Sequence, residues 1–135
     1  MSNALYNRGR NKFLTGNIAW LTDNIKGVLV DYGAYTVNLS THEFLSDIAV
    51  GARIATSPNL ANKTAVDGVA DADDITFPNV TGPTGEAVVL YKDTGVDGTS
   101  PLIGIIDSAT NLPIIPNSGP IAVQWDNGAN KIFKL

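Results

Sequence analysis

The chain has 135 residues, 44% apolar and 16% charged, with nine basic against thirteen acidic side chains and a net charge of −4. That length suits one domain with a buried core, and the weak acidity argues against a nucleic-acid binder, which clusters Lys and Arg to displace counterions. There is no Cys, which excludes disulfides, thiolate zinc sites and cysteine nucleophiles.

The first residues lack a basic stretch followed by an apolar run, so no signal peptide is expected. No apolar run approaches the roughly eighteen residues of a membrane-spanning helix.

In chain order, residues 3–14 read as a short helix. Leu5, Tyr6, Gly9 and Phe13 form one mostly apolar stripe, and Arg8, Arg10 and Lys12 lie on the solvated side. Gly16 is placed to close it in the left-handed conformation. The period then changes. Ile25 to Asp31 reads as a central strand and Tyr35–Asn38 as a short extended piece. Ser40 with Glu43 has capping-box spacing, which predicts a brief helix through Phe44 and Leu45 to about Ile48.

Strands follow at Arg53–Thr56, Thr64–Val69, Asp74–Phe77, Ala87–Tyr91, Leu102–Ile106, Ile121–Trp125 and Lys131–Leu135. The Asn127-Gly128 pair predicts a hairpin joining the last two. Residues 57–72 are the most loop-like stretch. The pattern predicts a mainly β, single-domain antiparallel sandwich or barrel with a short N-terminal helix and one short internal helix. Residues 1–16 are expected as a docking or oligomer segment and 17–135 as the body.

A search for chemistry finds few combinations. The only histidine, His42, has Ser40, Glu43 and Asp47 near it in sequence. Closeness along a short helix does not make a triad, and His42 reads as a helix-start or packing residue. Asp67, Asp71, Asp73 and Asp74 cluster, but without the ligand spacing of a calcium loop. Asp93 and Asp97 form a weaker candidate; solvated turns explain both groups. Trp20, beside Asn17 and Thr22, reads as a core or subunit contact, with sugar stacking the alternative. No catalytic, cofactor or metal residue is assigned, and a non-enzymatic chain is expected.

Several segments then bring a family into view. They are Asn3-Ala-Leu-Tyr6 with Gly9-Arg10 and Phe13-Leu14, Thr41–Ile48, Gly51-Ala-Arg53, Gly68–Asp74, Tyr91–Gly95, Asp107–Pro113, and Trp125–Gly128 before Lys131–Leu135. Across nearly the whole chain these resemble a group of small structural proteins of tailed-phage virions.

The resemblance implies a virion component, and the preferred role is a head decoration (cement) protein on the head surface. Its partner would be the major capsid protein or other virion proteins, and a homotrimer is favoured. Neither nucleic acid nor membrane is expected as a partner. Candidate interface residues are Leu5, Tyr6, Arg10, Phe13, Trp20 and Leu135. A tail, neck or fibre-associated subunit and a small cell-wall-sugar hydrolase are the competing readings.

Overall fold

A computed structural model of the chain describes residues 3–129 and 131–135. The elements are β1 (Ala4–Leu5), α1 (Asn7–Leu14), β2 (Ile25–Val30), β3 (Arg53–Thr56), β4 (Thr64–Val66), β5 (Val69–Asp71), β6 (Ile75–Phe77), β7 (Ala87–Lys92), β8 (Leu102–Ile106), β9 (Ile121–Val123) and β10 (Phe133–Lys134). The chain is mainly β and its strand pairs are antiparallel.

β7 and β8 are runs of consecutive apolar residues rather than alternating ones. Such runs are stable only when both faces of the sheet are covered. They form the middle of a five-stranded sheet of order β1-β8-β7-β2-β3. Ile25, Leu29, Val88, Leu90 and Ile103 face one apolar cluster. Val28, Val30, Val89, Tyr91, Leu102 and Ile105 face the other.

The first face is covered by two small sheets, β10-β5-β4 and β6-β9, which bring in Ala70, Ile75, Phe77, Val123 and Phe133. This gives a sandwich-like arrangement, and the sheet ends at β1 and β3 without closing into a barrel. The second face is covered by the segment between β2 and β3, through Tyr35, Leu45, Ile48 and Ala52. That segment holds 3-10 turns at Leu45–Asp47 and Val50–Ala52 where a short internal helix is expected.

Several local expectations are corrected. The N-terminal helix begins at Asn7, because Ala4 and Leu5 pair with Ile105 and Gly104 as a strand. The chain leaves the sheet after the Tyr6 N–H donates to the Ile103 carbonyl at 3.0 Å. The helix then runs against β8. Gly9 makes that approach possible, since a Cβ there would collide with the Leu102 carbonyl. Gly16 takes the expected left-handed conformation, φ 78°.

The single strand expected over Thr64–Val69 is a hairpin. Asp67 and Gly68, at φ 52° and 79°, turn the chain between β4 and β5, as Asp-Gly does in two-residue hairpins. Residues 57–72 therefore carry more structure than their composition suggests. The hairpin expected around Asn127-Gly128 does not form: β9 pairs with β6 and β10 with β5. Asn130, inside that expected turn, lies outside the described residues.

Tyr35–Asn38 is not a strand. The Ser40 cap is replaced by Asp47, whose Oδ2 accepts the Glu43 and Phe44 N–H groups at 2.7 and 3.0 Å.

Candidate functional site

The six residues expected at an interface divide sharply. Leu5, Tyr6 and Trp20 are buried in the chain's own core, and Phe13 packs on that core beside Phe133. Their apolar surface is already covered within the chain, because residues 4–14 are built into the edge of the main sheet and do not project from it. Arg10 is exposed, and Leu135 keeps 55% of its surface open.

Trp20 also has no free ring face for a sugar. It meets Phe133 edge-on at 5.2 Å, and its Nε1–H donates to the Thr64 and Asp71 carbonyls at 3.0 and 3.3 Å. It clamps the β4–β5 hairpin to the core. Tyr35 is likewise buried.

His42 joins a chain of polar contacts that the sequence does not show. Its Nδ1 lies 2.8 Å from the Tyr35 hydroxyl, which lies 2.7 Å from the Tyr6 hydroxyl. The His42 and Tyr35 rings stack at 5.4 Å. Burial, reinforced by neighbouring Tyr35, pushes the Tyr6 hydroxyl far above its ordinary value. Burial also raises Tyr35, against the opposing hydrogen bond with Tyr6.

Asp47 serves the backbone: burial works to raise it, yet the N–H groups of Glu43 and Phe44 hold its carboxyl below the usual range. The Ser40 backbone N–H donates to the Asn38 side chain at 3.1 Å, and among the described residues the side-chain hydrogen bond of His42 is with the Tyr35 hydroxyl. This network joins the N-terminal segment to the layer over the second sheet face, with the hydroxyls satisfied as buried hydroxyls must be.

Four of the six candidate carboxylates, all but Asp67 and Asp71, are similarly committed. Asp73 accepts from the Asn62 side chain at 2.6 Å, and Asp74 from the Trp125 N–H at 2.9 Å. Asp93 is paired with Lys26 at 2.8 Å and Asp97 with Arg53 at 2.7 Å. The Lys26 contact, helped by the Gly95 N–H, holds the Asp93 carboxyl below the usual range. Among the described residues, no group of three or more metal-ligating side chains is positioned around a common point.

The arrangement best suited to contact with another chain is the outer face of the β4–β5 hairpin. Cross-strand register places Thr64 opposite Asp71 and Val66 opposite Val69, with Lys134 opposite Val69 on the other side. Val66 is 66% exposed. Thr64, Val66, Val69 and Asp71 line a shallow cleft of about 300 Å³ with Ala129 and Lys131. Among the described residues β4 has no strand paired on its outer side, and the Leu135 N–H donates to the Gly68 carbonyl at 2.9 Å.

Sequence reasoning missed Val66 and Val69. Their signal was the Asp-Gly turn between two valines, which makes them a facing pair. Other large aliphatic side chains stand open elsewhere, notably Leu14, Val50 and Ile115. No known family model matches the chain, and no curated protein matches it.

Proposed function

We propose that this chain is a non-enzymatic structural subunit of a tailed-phage particle, and within that class a head decoration protein that clamps neighbouring copies of the major capsid protein, acting as a homo-oligomer, with a trimer favoured. The whole-chain resemblance brings the class. The structural observation that carries the reading is the hairpin face: exposed Val66 and half-buried Val69 beside an edge strand, tied from behind by the Trp20 indole. An apolar, pre-organised face of this kind suits contact with another chain, since its ordering cost is met by the fold before binding. Many weak copies on one shell then add through multivalency.

The test is the position and copy number of the chain in intact particles by cryo-electron microscopy. Density spread over the icosahedral shell, with the β4–β5 face at a contact, is the expected result. Density confined to portal or tail would replace decoration by a tail or neck role. Absence from particles would overturn the structural-subunit reading.

A further inference from the structure

The nine basic side chains of this acidic protein are not treated alike by the fold. Arg8 and Lys12 meet Glu43, Lys26 meets Asp93, Arg53 meets Asp97, and Lys92 meets Asp23. Lys63 donates to the Asp23 carbonyl. The other three, Arg10, Lys131 and Lys134, make no side-chain hydrogen bond or ion pair with any described residue. All three line one cleft of about 290 Å³.

The cleft is bordered by β1 and β10, each paired on one side only. Leu5 and Phe133 contribute to its walls. It holds one carboxylate, Asp126, whose Oδ1 accepts the Gly128 N–H at 3.1 Å. Three cations gathered without a partner among the described residues, in a protein of net negative charge, focus a positive field into the cleft. Against these three cations the one carboxylate leaves the lining net positive. The two open strand edges suit an extended backbone, and the guanidinium and ammonium groups suit carboxylates.

We infer that this cleft receives an extended, acidic polypeptide segment of a partner protein. The inference does not rest on the virion reading: it assigns a ligand chemistry to a cleft that shares Lys131 with the β4–β5 face but is otherwise lined by other residues, and either can fail alone.

The experiment titrates the full chain with a short acetylated peptide alternating Glu and Val, and with its Gln-for-Glu counterpart. Binding is followed by calorimetry and by amide shifts at Leu5, Ile106 and Phe133. Saturable, salt-sensitive binding of the Glu peptide alone is expected. Arg10→Glu and Lys134→Glu each weaken it about tenfold or more, the scale of one charge-assisted hydrogen bond. Arg8→Glu, outside the cleft lining, changes it less than about twofold.

Equal binding of both peptides, or binding indifferent to Arg10 and Lys134, overturns the proposal. So does tighter binding of inorganic phosphate or duplex DNA than of the Glu peptide. Salt-sensitive self-association lost in the same variants, with no peptide binding, would assign the cleft to a second copy and equally overturn it.

Discussion

The central sheet and the β4–β5 hairpin are built by opposite means. In β7 and β8 nearly every side chain is inside, so the strands are defined by apolar burial on two faces. In β4 all three residues are exposed. The hairpin is held by a turn, by its pairing with β10, and by the Trp20 indole donating to backbone carbonyls on both of its strands. One region is closed to the outside and carries the stability. The other is open, rigid, and available for contact.

The largest expected effect is in the closed region. Leu90→Ala, at a fully buried site in the middle of β7, should destabilise by about 3 kcal/mol, combining lost transfer energy with the residual cavity. Urea unfolding would measure it, and a loss below about 1 kcal/mol would show that the two-sided core is not where stability resides. Gly9→Ala comes next. The added Cβ would meet the Leu102 carbonyl, so α1 must move off β8 at a cost of about 2 kcal/mol. A neutral result in the same melts would mean that residues 1–16 are a detachable segment rather than part of the body.

The first of these predictions rests on a feature plain in the sequence. Runs such as Ala87–Tyr91 and Leu102–Ile106 are apolar at successive positions, and only burial on both faces satisfies them. The N-terminal segment was harder to read. Its stripe of Leu5, Tyr6, Gly9 and Phe13 fits helical spacing, but Leu5 is used in a strand and Tyr6 at the helix entry. Long-range pairing with Ile105 and Gly104 decides this, and no local pattern reports it.

The Asn127-Gly128 hairpin failed for the same reason: β6 and β5 compete successfully for the strands on either side. The open valine face was hidden because Thr64–Val69 reads as one strand until Asp67 and Gly68 are recognised as its turn. The three cations without a described partner were invisible, since their isolation depends on which carboxylates and carbonyls the fold brings near the other six.

A smaller effect should appear at alkaline pH. Burial, aided by Asp107, pushes the Tyr32 hydroxyl up to about 12. Burial, aided by Asp93, does the same for Tyr91. Both values are raised in the fold, so the neutral forms contribute stability that is fully present below the ordinary tyrosine value of 10.0 and is lost as pH rises towards about 12. Thermal melts should show falling midpoints through that window, with a shallower fall in Tyr91→Phe. An unchanged midpoint would indicate that these hydroxyls reach solvent. The smallest effect on stability belongs to the open face. Val66→Asp should shift unfolding by less than about 0.5 kcal/mol yet weaken assembly, as sedimentation would record.

Hydrogen exchange compared between the free and assembled protein tests the division of labour most directly. Amides of Thr64–Val69 and Lys131–Leu135 should gain protection on assembly, while β7 and β8, already slow in the free chain, remain unchanged. Protection gained in the central sheet, with the β4–β5 hairpin unaltered, would contradict the account.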